Sequence, residues 1–141
     1  MPRLLVDANI FLELMLGQSR SKECKEFLSN VAKGKIKAAT TDFVIDSVGV
    51  IMEDRGSSAG SIRRFFASLL LYKGLVIHNL DLQGRILAAS AMESEGLNFD
   101  DATSFAAMRR LGISEIISFD RHFDKVRGIT RIEPKTALAR I

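Results

Sequence analysis

The strongest constraint on this chain is an alternation of short apolar runs with amphipathic segments that close on glycines. Arg3–Val6, Ile36–Thr40, Leu75–Asn79, Glu115–Ser118 and Gly128–Ile132 read as strands. Between them Ala8–Leu16, Lys22–Ala32, Phe43–Glu53, Ser58–Tyr72, Asp81–Glu95 and Asp100–Leu111 carry helical periodicity. Glycines at 34, 56, 74, 96 and 112 stand where helix C-termini commonly require them. Such alternation predicts an α/β fold with a mostly parallel sheet. In sheets of that kind ligands bind beyond the carboxyl ends of the strands, so the residue after each strand is the place to look.

Composition narrows the class. At 141 residues the chain suits one domain, 1–141, able to build a core without a staple. The single Cys24 forms no internal disulfide, and with two histidines the chain lacks the ligands for a structural zinc site. No apolar run approaches the ~20 residues of a membrane span, and there is no signal-like core or low-complexity tract. These features point to a reducing cytoplasm. Lys and Arg number 20 against 17 Asp and Glu, a mildly basic balance that favours polyanions.

Several aspartates stand against strongly apolar runs. Asp7 follows Leu4-Leu5-Val6 directly, and Asp120 comes two residues after Ile116-Ile117-Ser118. Taken singly, a helix cap at Asp7 and a turn residue at Asp120 are ordinary roles for Asp. In the Phe43–Glu53 segment Asp42, Asp46, Gly49 and Glu53 make one polar stripe on a helix otherwise apolar almost all round. That stripe is either a solvated face or the wall of a polar cleft in which Gly49 leaves room. Asp100 serves as an N-cap, whereas Asp101 shares a face with Phe105 and Met108 and so turns inward. If Asp7, Asp46, Asp101 and Asp120 converge, each pair ~4 Å apart repels by about 4 kcal/mol at an effective dielectric of 20. Such a group takes up protons or binds cations, and all-oxygen ligands suit Mg²⁺ or Mn²⁺. Metal-assisted hydrolysis of a phosphodiester is the chemistry that follows.

At these residues the sequence resembles the PIN-domain ribonucleases, especially the toxins of VapBC-type toxin–antitoxin pairs. Leu5-Val6-Asp7-Ala8-Asn9 is similar to the family's strand ending in Asp-x-Asn, and Thr40–Asp46 to its second acidic motif. Leu97–Ala102 resembles the third, an Asp-Ala pair opening a helix, and Ile117–Phe123 the fourth, a strand leading into Asp-x-x-Phe. Gly128-Ile129 and Pro134 fit the usual ending, so the resemblance runs through nearly the whole chain in order.

The resemblance implies a three-layer α/β/α sandwich around a five-stranded, mostly parallel sheet. It also implies an acidic pocket for Mg²⁺ or Mn²⁺, endoribonuclease activity, an RNA substrate, a cognate antitoxin and a homodimer. Asp7, Asp46, Asp101 and Asp120 occupy its acidic positions; Asn9 and Ser118 match polar positions that tune the pocket, and Asp124 an outer acid. One departure is that position 46, usually Glu in the family, is Asp here. The missing methylene withdraws the carboxylate by about 1.3–1.5 Å, which bears on whether Asp46 holds an ion directly.

The remaining candidates divide between surface and core. Arg63, Arg64, Arg109, Arg110 and Arg121 are RNA contacts or a solvated face, and Arg121, beside Asp120, has the best claim. His78 and His122 have no nucleophile beside them and read as structural, and Cys24 reads as unreactive. Phe65, Phe66 and Leu69–Leu71 are core packing, a homodimer face or a groove for an antitoxin helix. A receiver-like phosphoacceptor needs paired acids after its first strand and a late Lys, and a haloacid-dehalogenase-like phosphatase needs Asp where Asn9 stands. A catalytically silent PIN-like module that binds RNA or protein is the other reading left open by Asp46.

Overall fold

The computed structural model describes residues 1–141. Strands β1 (Leu4–Val6), β2 (Ala38–Thr41), β3 (Leu75–His78), β4 (Glu115–Ile117) and β5 (Thr130–Ile132) form one sheet in the order β3-β2-β1-β4-β5. All four pairings are parallel, with Leu5 opposite Ala39 on one side and Ile116 on the other. The helices are α1 (Ala8–Met15), α2 (Ser21–Ala32), α3 (Asp42–Asp54), α4 (Ala59–Leu69), α5 (Leu82–Glu95), α6 (Phe99–Leu111) and α7 (Pro134–Leu138). A 3-10 turn, Arg121–Lys125, lies between β4 and β5.

Strand alternation divides the core into layers, because successive side chains leave opposite faces of a sheet. Leu4, Val6, Ala38, Ile117 and Ile132 pack with Phe11 of α1, Phe27 and Val31 of α2, Val48 of α3 and Phe65 of α4. On the other face Leu5, Ala39 and Ile116 meet Ala107 and Met108 of α6. Helix α5 covers α6 in turn, Ala88 and Ala91 packing with Ala102, Phe105 and Ala106 of α6, and the alanines let the two helices approach closely. The helical-layer, parallel-sheet, helical-layer sandwich is therefore the observed architecture. No helix is long and apolar enough to cross a membrane.

Two glycines make the connections possible. Gly96 ends α5 at φ 66°, a left-handed cap that turns the chain back into α6. Gly74 leads into β3 where a Cβ would stand 2.2 Å from the Ile36 carbonyl oxygen, so no larger residue fits.

The elements depart from the sequence reading mainly at their ends. Ser58–Tyr72 shortens to an α4 ending at Leu69, and β2 begins at Ala38 because Lys35 and Ile36 still donate to the Asn30 carbonyl. Helix α6 begins one residue early, at Phe99, with Asn98 as its cap, so Asp100 is not the N-cap. Neither the 3-10 turn nor α7 carries enough periodicity to be read from sequence.

Helix α3 is less buried than its composition implies, with Val50 65% exposed. The room at Gly49 is taken by Phe66 of α4, whose Cζ lies 3.2 Å from where a Cβ would be, so this part of the stripe faces α4 rather than a polar cleft.

Candidate active site

From β1 the chain proceeds to β2 on one side, and later to β4 on the other. The carboxyl ends of β1 and β4 thus part at a topological switch point, the crevice where α/β sheets bind ligands. Asp7 stands at the end of β1, its backbone extended, its N–H donating to the Ile117 carbonyl at 3.0 Å. Its Oδ1 accepts from the Ala8 N–H at 2.8 Å, capping α1. Its Oδ2 accepts from Ser118 Oγ at 2.6 Å and from Asn9 Nδ2 at 3.2 Å.

Ser118, fully buried just past β4, also accepts from Asn9 Nδ2 at 3.1 Å and from the Asp120 N–H at 2.9 Å. Asn9 Oδ1 in turn accepts from the Phe119 N–H at 3.3 Å. Ser118 and Asn9 therefore join the two strand ends and fix the Asp7 carboxylate. Burial pushes the Asp7 carboxyl above its ordinary range, the Ser118 and Ala8 hydrogen bonds oppose this, and Asp120 and Asp100 add repulsion.

Asp101 enters from the first turn of α6. Its side chain is only 8% exposed, and its Oδ2 has a single neighbour of opposite character, His122 Nδ1 at 3.3 Å. Burial, then repulsion from Asp100, Asp120 and Asp7, pushes its carboxyl up to about 6, against a smaller downward pull from His122. Asp120 caps the 3-10 turn, its Oδ1 accepting from the His122 N–H at 2.9 Å and lying 3.1 Å from His122 Nδ1. Asp46 is exposed on α3 and lines a cleft of ≈ 450 Å³ with Asp7, Asp100 and Asp101. Phe43 of α3 and Phe99 of α6 meet edge to face at 5.8 Å, tying together the helix starts on either side of that cleft.

The structure thus gathers Asp7, Asp101 and Asp120, with Asn9 and Ser118 behind Asp7, and sets Asp46 across the cleft. Asp124 does not join them: Arg131 Nε holds its Oδ1 at 2.8 Å and keeps its carboxyl below the ordinary range. Arg131 also donates to the Ser118 carbonyl, so Asp124 is linked to the pocket only through that arginine. Arg121 is exposed next to Asp120, while Arg110 is engaged by Asp81 at 2.7 Å.

Sequence reasoning missed two residues. Asp100, set aside as a cap, lines the cleft and accepts from the Asp101 N–H at 2.9 Å. His122, set aside as structural, lies against two of the acids, and Asp101, Asp120 and His122 each present a ligand atom within 4.8 Å of the others. No periodic signal in the sequence could have found His122, because it sits in a five-residue 3-10 turn with one buried side chain, Phe123.

No lysine or arginine bridges Asp7, Asp46, Asp100, Asp101 or Asp120. A nearly buried carboxylate repelled by three others, with one imidazole beside it, fits a divalent cation with hard oxygen ligands.

The sequence profile of the PIN domain matches residues 4–129. No curated protein sequence matches the chain. Among solved structures, the Mycobacterium tuberculosis toxin VapC20, described as cleaving the Sarcin-Ricin loop, superposes with a TM-score of 0.74 at 20% identity, covering 93% of this chain and 99% of that one. A toxin–antitoxin complex from Klebsiella pneumoniae gives 0.69 at 18% identity, covering 93% and 97%. The DNA-bound VapBC of Salmonella typhimurium gives 0.64 at 15%, covering 95% and 99%. At these identities the likeness is one of fold.

Proposed function

Because this chain belongs to the PIN-domain family, we propose that it is a divalent-metal-dependent endoribonuclease and the toxin of a toxin–antitoxin pair. The observation that carries the reading is the unneutralised acidic pocket at the switch point of the sheet. In it Asp7, Asp101 and Asp120 would hold Mg²⁺ or Mn²⁺. Asp46, exposed and shorter than the family's usual Glu, acts across the cleft through water. A bound ion supplies a water of lowered pKa and neutralises charge gathering on the phosphate.

The protein's own contribution is positional. Ser118 and Asn9 hold Asp7 Oδ2, and the first turn of α6, where Asp100 Oδ1 accepts from the Asp101 N–H, carries Asp101 to the same cleft. Arg121, exposed one residue from Asp120, would receive an RNA phosphate. The buried, unreactive Cys24 accords with a cytoplasmic setting, its thiol pushed up to about 12 by burial. A cognate antitoxin and a homodimer belong to the same reading.

The test is cleavage of structured RNA with Mg²⁺ or Mn²⁺, in EDTA, and with the Asp7→Asn and Asp101→Asn variants. Metal-dependent cleavage lost in both variants is the expected result. Cleavage that persists in EDTA, or in both variants, refutes the assignment. Metal binding without cleavage of any RNA favours a silent RNA- or protein-binding module instead.

A further inference from the structure

The geometry points to His122 as a direct nitrogen ligand that completes a mixed carboxylate–imidazole set with Asp101 and Asp120 and makes the pocket select Mn²⁺ over Mg²⁺. This inference rests on the divalent-metal reading above and resolves the choice of ion within it.

Three observations carry it. First, both carboxylate contacts of His122 converge on one atom: Nδ1 stands 3.1 Å from Asp120 Oδ1 and 3.3 Å from Asp101 Oδ2. One imidazole N–H can point well at only one of these oxygens, so the arrangement is poorly explained as a hydrogen-bonding pair. It is well explained as ligand spacing, because neighbouring donors around an octahedral ion at 2.0–2.1 Å lie about 3 Å apart. Second, the Asp101 carboxylate is more than nine-tenths buried and has no other polar side chain to answer it. Third, the ring is held for this position by its own backbone. The His122 N–H donates to Asp120 Oδ1 at 2.9 Å, and Phe123, fully buried beside it, anchors the turn.

An imidazole changes what the site prefers. Mg²⁺ takes oxygen ligands almost exclusively, whereas first-row transition ions accept imidazole readily. Mn²⁺ keeps an affinity for carboxylates while tolerating the nitrogen, so replacing one oxygen by Nδ1 favours it over Mg²⁺.

The experiment measures binding rather than turnover. Mn²⁺ is titrated into the purified, metal-stripped protein by electron paramagnetic resonance, then competed with Mg²⁺, for the wild type, His122→Ala and Asp101→Asn. Electron spin-echo modulation of the Mn²⁺-loaded protein reports whether a nitrogen is bound. The wild type is expected to show ¹⁴N modulation and a clear preference for Mn²⁺. In His122→Ala the modulation should vanish and Mn²⁺ affinity fall about tenfold or more, the scale typical of groups that hold a metal site in shape. Mg²⁺ affinity should fall much less.

His122 is mostly exposed, so its truncation leaves the fold intact. Unchanged modulation and an unchanged Mn²⁺/Mg²⁺ ratio in His122→Ala, with binding lost in Asp101→Asn, would overturn the His122 assignment and leave the metal pocket standing. Failure of the wild type to bind either ion would overturn both.

Discussion

Substituting Asp101 by Asn should stabilise the metal-free protein while removing its response to metal. Burial and the three neighbouring carboxylates push the Asp101 carboxyl from 3.8 to about 6. For an acid whose folded pKa is raised, the native state holds the extra proton between those two values. Stability therefore falls as pH rises through that window and stays low above it. At 1.36 kcal/mol per unit, the full shift costs the ionised wild type about 3 kcal/mol at pH 7.5, and less than about 1 kcal/mol near pH 4. Asn removes that cost but forfeits the roughly 0.3–1 kcal/mol an acid gains in the first turn of a helix. A net gain of about 2 kcal/mol at pH 7.5 remains, or about 5 °C in Tm for a chain of this size.

Thermal denaturation in EDTA at pH 7.5 and near pH 4 measures both the gain and its pH dependence. Added Mn²⁺ should raise the Tm of the wild type and leave the variant where it was. A variant less stable than wild type in EDTA at pH 7.5, or a difference independent of pH, would refute the claim that Asp101 is held ionised against repulsion.

Two further substitutions probe what supports the pocket. Ser118→Ala removes the 2.6 Å donor to Asp7 and the acceptor for Asn9 and the Asp120 N–H. It should cost about 1–3 kcal/mol in urea denaturation, with the loss shrinking at acid pH as Asp7, already raised, takes up a proton. Phe123→Ala empties a fully buried site against Leu5, Ile116 and Met108. It should cost about 3–5 kcal/mol by urea midpoint.

How much of this was legible in the sequence follows from what each element depends on. The strands and the helices α2, α5 and α6 were readable because their periodicity or glycine ends are local properties. The inward turn of Asp101 was readable too, since Phe105 and Met108 on the same face are core residues. The 3-10 turn was not, because five residues with one buried side chain make no period. His122 was lost with it. Asp124 failed for a different reason: its partner Arg131 lies on β5, and nothing in the spacing of the two reveals an ion pair at 2.8 Å. Gly49 looked like room for a cleft, yet a missing side chain marks a close approach without saying of what, and here the neighbour is Phe66.

The distribution of charge explains why the nearly even balance of 20 cations and 17 acids is a poor guide to this molecule. Arginines are spent on acids outside the pocket: Arg85 near Asp42, Arg110 on Asp81, Arg131 on Asp124, Arg140 on Glu115 and Arg20 between Glu23 and Glu133. None is placed on Asp7, Asp46, Asp100, Asp101 or Asp120, where repulsion is greatest. A guanidinium there would satisfy one of these carboxylates through a bidentate pair. Leaving the pocket unneutralised keeps it available to a mobile cation, and a divalent ion there would cancel two of the 17 negative charges. The surface presented to a polyanion is then more basic than +3 implies. If the pocket holds an ion as proposed, the same placement makes opposite demands on the two states of the protein: without the ion the acids destabilise it, and with the ion they would bind it. That is why Asp101→Asn is expected to raise stability in EDTA and abolish the gain from metal in the same protein.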